Sequence, residues 1–229
     1  MGVECTVVVP DTAPATKLAG VSRLGARIVS IPFDEWWQTL MTQRHPIIDG
    51  KFFLHPSSNA NVMAGYGTIA MEILEDLPDV DAVLVPWGSG GLACATGSVF
   101  HTLKPETKLF AIELDTGAPL AASLEAGKPV EVPYTASFVD GISGPSIPHE
   151  MFPLAQRFLD GVLIVSLEEI VKAIRLMVDR NNVVAEGAGA APVAAATKGM
   201  AGTGKVVCIV TGGNIDPLKL SRILSGEVP

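Results

Sequence analysis

A glycine-rich segment, Gly88-Ser89-Gly90-Gly91-Leu92, follows a continuous apolar run and opens a helical pattern. The first N–H groups of a helix have no partner inside the helix and converge on an anion, and glycines let the backbone approach that anion closely. Phosphate is the natural ligand for such a loop, and the Ser89 hydroxyl would add a further donor. A strand-to-helix turn that needs a positive φ explains the same glycines, and this alternative stays open.

A second polar and glycine-rich segment, Thr211-Gly212-Gly213-Asn214, follows the apolar run 206–210. It leads into Asp216-Pro217, the pattern of a helix N-cap with proline at the first helical position. Because ligands of open α/β sheets bind outside the carboxyl ends of the strands, the two segments predict one shared site. Turn chemistry is again the alternative, and Asp216 is better explained as a cap than as an acid.

The elements that must position these segments alternate between strand-like apolar runs and helical patterns, which is typical of βα units. The predicted class is α/β, a twisted parallel sheet with helices on both faces. We expect residues 1–59 to belong to a small α/β domain and residues 60–229 to form a large one. The predicted strands span 7–9, 27–31, 52–55, 81–87, 108–114, 162–165 and 206–210. The predicted helices span 18–24, 33–43, 62–77, 92–103, 119–126, 150–159, 167–181, 189–198 and 217–224.

Composition excludes several classes of protein. The chain has 229 residues, of which 48% are hydrophobic and 17% charged, and a formal net charge of -8, so nucleic acid is not an expected partner. Its three cysteines are far apart and lack metal-ligand spacing, which indicates reduced, mostly buried thiols. No apolar run reaches the length of a membrane-spanning helix. We therefore expect a cytoplasmic protein that makes no membrane contact.

Further motifs accompany the two glycine-rich segments. They are the segment 8–10 with Ala13-Pro14 and Lys17, His55-Pro56, Ala64-Gly65-Tyr66-Gly67-Thr68, Asp140-Gly141, and Glu186-Gly187-Ala188-Gly189-Ala190. In this order and spacing they resemble the fold-type II pyridoxal-phosphate enzymes, especially threonine and serine dehydratases, serine racemase and hydroxyaspartate dehydratases. The resemblance runs through nearly the whole chain. It implies a tryptophan synthase β-like architecture of two domains, with part of the small domain missing.

The resemblance also implies roles for the two segments. Gly88, Ser89, Gly90, Gly91 and Leu92 would hold the phosphate of pyridoxal 5'-phosphate. Thr211 and Gly212 would lie at the cofactor ring, with the Thr211 hydroxyl facing the pyridine nitrogen. A neutral hydroxyl leaves that nitrogen largely unprotonated, which suits β-elimination better than transamination. Relatives that make cysteine have a threonine-rich phosphate loop instead, so the Gly90-Gly91-Leu92 loop favours the dehydratase and racemase branch.

Two glutamates match acidic positions of the family. Glu186 would lie close to the cofactor ring, although an acid ahead of an alanine-rich helix is also a simple partner for the helix dipole. Glu113 matches a carboxylate that binds a divalent cation, Mg or Ca, in several members. The further acidic ligand would fall near 117–119, where only Asp115 is close, so a complete oxygen cage is not expected. A capped or solvated glutamate is the alternative at Glu113.

The family's catalytic lysine, in a Ser-x-Lys-x-Arg type motif, has no counterpart here, and neither has the Ser-x-Gly-Asn-His loop that grips the substrate carboxylate. All nine lysines, including Lys17, are interpreted as ordinary solvated charges on helices, turns or strand ends. Both motifs belong upstream of Met1, so we expect the sequence to be truncated at its N-terminus. The chain alone would then lack the residue that forms the Schiff base.

The function that the resemblance implies is a pyridoxal-phosphate-dependent β-elimination. An ammonia-lyase of this kind converts L-threonine, L-serine or a related hydroxy amino acid into a 2-oxo acid and ammonia. A racemase of the same family is one alternative, and a non-catalytic protein that binds a phosphorylated ligand is another. A homodimer is expected from the resemblance, and an early strand without neighbours gives a physical reason for it.

Overall fold

Two parallel β-sheets organise the chain in the computed structural model, which describes residues 2–229. The smaller sheet pairs β1 (Thr6–Pro10) with β2 (Arg27–Ile31). Helix α1 (Ala15–Arg23) connects these strands, and α2 (Phe33–Thr42) follows β2. The N-terminal part of the chain is therefore one βαβ unit with an added helix, close to the predicted pattern.

The larger sheet has four parallel strands in the order β5-β4-β3-β6. Its strands are β3 (Ala82–Pro86), β4 (Lys108–Leu114), β5 (Gly161–Val165) and β6 (Val206–Cys208). Every residue of β3 is buried, as expected for a strand with helices on both faces. The chain passes from β3 to β4 on one side, whereas β6 lies on the other side, so a topological switch point lies between β3 and β6.

Helices cover both faces of this sheet. They are α3 (Ala60–Asp76), α4 (Gly91–Leu103), α5 (Pro119–Ala126), α6 (Phe152–Phe158, after a 3-10 turn at His149–Met151), α7 (Leu167–Asn181), α8 (Gly187–Thr197) and α9 (Pro217–Leu224). One core joins Leu84 of β3 to α7, α8 and α9. The other joins Val83 and Val85 to α3, α4 and α6. The predicted α/β class, with helices on both faces of a parallel sheet, is confirmed.

Side-chain caps fix where several helices begin. Asn59 accepts hydrogen bonds from the N–H groups of Asn61 and Val62, which starts α3. Ser166 and Glu169 form a reciprocal capping box at α7. The predicted role of Asp216 as a cap is confirmed, because its carboxylate accepts from Leu218 and Lys219 ahead of α9.

Some predicted elements differ from the structure. Residues 52–55 form no strand, because Phe52 is 86% exposed and no neighbouring strand pairs with this part of the described chain. Strand β6 ends at Cys208, although the N–H of Ile209 still donates to the carbonyl of Leu84 at 3.0 Å. Among residues 2–229, none of the helices has both the length and the apolarity of a membrane crossing. The division at residue 60 stays a prediction.

Candidate active site at the switch point

The two glycine-rich segments leave the large sheet at the same edge. Strands β3 and β6 are neighbours, with Leu84 opposite Cys208. Because both strands run in the same direction, the segments 88–92 and 211–214 both follow their carboxyl ends. The prediction of one shared site at the switch point therefore agrees with the topology.

The first segment forms the entry to α4. Gly90 is the N-cap residue with φ of +93°, and a Cβ built on it would lie 2.4 Å from the ring of Trp87. Glycine is therefore required at position 90, as expected for a strand-to-helix turn that needs a positive φ. No hydrogen bond joins the N–H groups of Gly88, Ser89 or Gly90 to another group among residues 2–229. These donors, with the first turn of a 13-residue helix, remain available to an anion.

The segment 56–57 packs directly against this loop. A Cβ on Gly91 would lie 2.6 Å from Cα of Ser57 and 2.9 Å from the carbonyl oxygen of Pro56. His55 holds the turn: its Nδ1 accepts from the N–H of Ser58 at 2.9 Å, and its Nε2 donates to the carbonyl of Leu40 at 2.9 Å. These partners require the tautomer protonated at Nε2. The residues ahead of α3 therefore form one wall of the loop.

The second segment packs against the start of α8. The N–H of Glu186 donates to the carbonyl of Gly212 at 2.9 Å. A Cβ on Gly189 would lie 2.8 Å from that same carbonyl oxygen, so only glycine allows α8 this close. Thr211 is exposed beside this contact. The structure thus brings Thr211, Gly212 and Glu186 together, as predicted.

Lys17 reaches this region from α1, and its interpretation as an ordinary solvated charge was wrong. Its Nζ donates to Oδ1 of Asp140 at 2.7 Å and lies 3.0 Å from Oε2 of Glu186, an ion contact outside good hydrogen-bond angles. Burial of the ammonium lowers the pKa of Lys17, but the two carboxylates outweigh burial and hold this pKa above its ordinary value. Lys17 is therefore a protonated bridge between two acids.

Residues 127–148, between α5 and the 3-10 turn that precedes α6, line the same region and form no helix or strand. Aromatic residues of α2 hold it. Nε1 of Trp37 donates to Oγ of Ser146 at 3.0 Å, and a Cβ on Gly144 would lie 2.2 Å from the Trp37 ring. Phe33 stacks on Tyr134 with ring centroids 6.1 Å apart. The N-terminal unit thus positions the segment that carries Asp140.

Glu113 lies at the end of β4 and is fully buried. Its two carboxylate oxygens accept from the N–H groups of Leu120 and Ala121, each at 2.9 Å, in the first turn of α5. The capped alternative therefore describes Glu113, and both oxygens are committed to the helix. The described residues contain no cluster of three or more His, Cys, Asp or Glu that could hold a metal. The predicted divalent cation is not supported.

The family model described as "Pyridoxal-phosphate dependent enzyme" matches residues 1–212. The chain belongs to this family. It is 36% identical to the L-threonine ammonia-lyase of Thermotoga maritima, over 98% of this chain and 56% of that protein. It is 31% identical to the catabolic L-threonine dehydratase of Escherichia coli, over 97% of this chain and 69% of that protein. The chain thus spans just over half the length of the Thermotoga relative.

Solved structures of similar proteins agree with the fold. The processed form of threonine deaminase isoform 2 from Solanum lycopersicum superposes with a TM-score of 0.85 at 28% identity, covering 97% of this chain and 66% of that one. Maize serine racemase gives a TM-score of 0.86 at 26% identity, covering 98% and 70%. The arrangement of sheets and helices is therefore that of fold-type II pyridoxal-phosphate enzymes.

The residues of this family member fit part of the cofactor. The unpartnered N–H groups at Gly88 to Gly90 suit a phosphate, and the exposed Thr211 offers a neutral hydroxyl across the switch point. Among the described residues, Lys17 is the lysine that contacts a predicted site residue, Glu186. Its ammonium is paired with both Glu186 and Asp140. Sequence reasoning missed this contact, although Lys17 and Asp140 both belonged to motifs of the resemblance. The contact of Ser57 with the first loop was also missed, because nothing in the sequence except its position after His55-Pro56 indicated it.

Proposed function

We propose that this chain binds pyridoxal 5'-phosphate at the switch point between β3 and β6. The observation that carries this proposal is the convergence of two glycine-rich loops at one sheet edge, one of them with unpartnered N–H groups at a helix N-terminus. Gly88 to Leu92 would hold the phosphate through backbone donors, and Ser89 would add its hydroxyl. The two negative charges of the phosphate would be favoured by the positive end of the α4 dipole.

The second loop would contact the ring. The Thr211 hydroxyl would face the pyridine nitrogen as a neutral hydrogen-bonding group, which moderates electron withdrawal by the ring. Gly212 would allow the ring to approach the backbone, and the Glu186 carboxylate would lie beside Gly212. When bound, pyridoxal phosphate supplies the electron-accepting ring that stabilises negative charge at the α-carbon of an amino acid.

For the whole protein we propose an ammonia-lyase activity on a hydroxy amino acid, L-threonine or L-serine. Two named relatives, an L-threonine ammonia-lyase and an L-threonine dehydratase, support this proposal. The products would be a 2-oxo acid and ammonia. Because no lysine of the chain stands in the Ser-x-Lys-x-Arg setting, we propose that residues 1–229 bind the cofactor and do not by themselves remove the α-proton.

The experiment is a titration of the purified chain with pyridoxal 5'-phosphate, followed by absorbance and by quenching of tryptophan fluorescence. Saturable binding is expected. Ser89→Asp places a carboxylate beside the phosphate, and like charges in contact cost several kcal/mol, so affinity should fall roughly 100-fold. Ser89→Ala should cost roughly tenfold or less. Ser225→Asp is the matched control, because Ser225 is exposed at the C-cap of α9 and belongs to neither loop.

Turnover separates the remaining possibilities. Release of a 2-oxo acid from threonine or serine by the chain alone would contradict the proposed need for a further lysine, and mass spectrometry after borohydride reduction would identify the lysine used. Formation of D-serine would favour the racemase alternative, which the maize serine racemase structure makes relevant. Binding without turnover is the result we expect. Absence of any binding would refute the proposed site.

A further inference from the structure

Lys17 is the charged side chain that connects the N-terminal unit to the site. Helix α1, which carries Lys17, connects the two strands of the small sheet. Its two acidic partners lie elsewhere: Asp140 is in the segment between α5 and α6, and Glu186 is the N-cap residue of α8. The three side chains are partly shielded from solvent, with 29% of Lys17, 31% of Asp140 and 18% of Glu186 exposed. Charges in such a setting interact more strongly than those of a fully solvated pair.

Each acidic partner is connected to one of the two glycine loops. Asp140 precedes Gly141, whose carbonyl oxygen would lie 3.1 Å from a Cβ built on Gly88. Glu186 bonds Gly212 through its N–H at 2.9 Å, and its Oε1 would lie 2.9 Å from a Cβ on Gly212. Lys17 is therefore connected to the Gly212 loop through Glu186, and to the Gly88 loop through Asp140 and its neighbour Gly141.

Removal of the ammonium would leave two carboxylates close together with no shared counter-ion. Both now approach one nitrogen within 3.0 Å, and like charges at such a spacing repel. The carboxylates would then separate, and the main-chain contacts at Gly88 and Gly212 would move with them. Burial and the Asp140 charge raise the pKa of Tyr134, so its hydroxyl stays neutral and adds no third negative charge beside the two carboxylates.

We propose that Lys17 is a positioning residue for the cofactor site: its ammonium holds Asp140 and Glu186, and through them the two glycine loops, at the spacing that the cofactor needs. This inference rests on the proposed function. In this proposal the Lys17 ammonium attracts the two carboxylates and forms no covalent bond with the cofactor. The site would accordingly depend on α1, a helix that has no residue in either loop.

The test compares Lys17→Met, which keeps an unbranched chain without charge, with Lys17→Arg, which keeps the charge. Lys108→Met is the matched control, because Lys108 forms an ion pair with Asp160 and is 58% exposed. Lys17→Met should weaken binding of pyridoxal 5'-phosphate about tenfold, as expected for loss of a partly buried charge contact. Lys17→Arg should recover most of the affinity, and Lys108→Met should leave it unchanged.

A second measurement reads the positioning without any ligand. The amide of Glu186 donates to Gly212, so its hydrogen exchange should rise about tenfold in Lys17→Met and stay near the original rate in Lys17→Arg. If Lys17→Met fails to fold by circular dichroism, Asp140→Asn removes one of the two ion contacts at nearly constant volume and should weaken cofactor binding about threefold.

The outcomes separate the two proposals. Failure of the unsubstituted chain to bind pyridoxal 5'-phosphate would refute the proposed function. In that case hydrogen exchange at the Glu186 amide alone would test whether Lys17 positions the loops, and faster exchange in Lys17→Met would support it. Normal binding by a folded Lys17→Met variant, with unchanged exchange at Glu186, would overturn the positioning role while leaving the proposed function intact. Unchanged binding by Asp140→Asn would overturn it equally.

Discussion

The buried carboxyl of Glu113 makes the stability of this fold depend on pH in an unusual direction. Burial raises the pKa of Glu113 to about 7, and the hydrogen bonds from Leu120 and Ala121 lower it only in part. In the unfolded chain this carboxyl returns to its ordinary value near 4.5. Between these two values the folded state binds more protons than the unfolded state. Stability contributed by Glu113 is therefore present below about pH 4.5 and is lost as the pH rises toward 7.

The size of the effect follows from the difference between the two values. Each unit corresponds to about 1.4 kcal/mol, so the Glu113 contribution falls by about 3 kcal/mol as the pH rises from 4.5 to 7. Glu113→Gln removes this titration. The amide oxygen can accept from only one of the two N–H groups, which costs about 1 to 2 kcal/mol relative to the fold with protonated Glu113. Asp and Glu groups that form ion pairs or strong hydrogen bonds in the folded state give the opposite slope, because the folded state stabilises them as carboxylates.

The assay is urea unfolding followed by circular dichroism at intervals from pH 4.5 to 8, on the unsubstituted chain and on Glu113→Gln. Asp115, whose pKa is raised chiefly by burial, contributes in the same direction but is present in both proteins. The free energy of unfolding of the unsubstituted chain minus that of Glu113→Gln should therefore fall by about 3 kcal/mol across this range, so that the substituted protein becomes the more stable of the two at the upper end. Parallel curves would refute the reasoning and indicate that the two N–H groups hold Glu113 as a carboxylate.

Two further predictions concern packing and thiol chemistry. Gly91→Ala should lower the free energy of unfolding in urea by about 2 to 4 kcal/mol, because the new Cβ would meet the backbone at Pro56 and Ser57. Gly65→Ala in α3 is the control: its Cβ would meet nothing within 4 Å, so this variant should be as stable as the unsubstituted chain or slightly more stable. Equal stabilities of the two variants would contradict the close approach at Gly91. Cys5 is exposed, contrary to the expected burial of the cysteines, while burial raises the pKa of Cys94 to about 12. Iodoacetamide should therefore modify Cys5 in the folded chain and Cys94 only after unfolding, as read by peptide mass spectrometry, and equal rates would contradict the structure.

Local patterns were enough to predict most of the large sheet. The apolar run of β3, the capping box at Ser166 and the Asp216-Pro217 start of α9 are signals between residues close in sequence. The strand predicted at 52–55 was wrong because its apolar residues have no neighbouring strand, and pairing is a long-range property. Short apolar segments do not by themselves distinguish a strand from an extended loop.

The candidate site was predictable where it depends on loops after strands and not where it depends on ion pairs between side chains. The positions of Gly88 to Leu92 and Thr211 followed from the carboxyl ends of two strands. The ion pair of Lys17 with Asp140 joins residues that are separated by 123 positions in the sequence. Periodicity places Lys17 on a helix surface without indicating what faces it. The same limit applies to Glu113, whose donors were visible only once α5 was placed beside the end of β4.

The central claim, that the glycine loop after β3 receives the phosphate of pyridoxal phosphate, is tested most directly by amide chemical shifts of the labelled chain during titration with the cofactor. We predict that the amides of Gly88 to Leu92 shift first and most strongly, with the Thr211 and Gly212 amides following in the same saturable transition. Ser89→Asp should abolish these shifts at the same cofactor concentration. Saturable shifts confined to another surface, or shifts that persist in Ser89→Asp, would contradict the account.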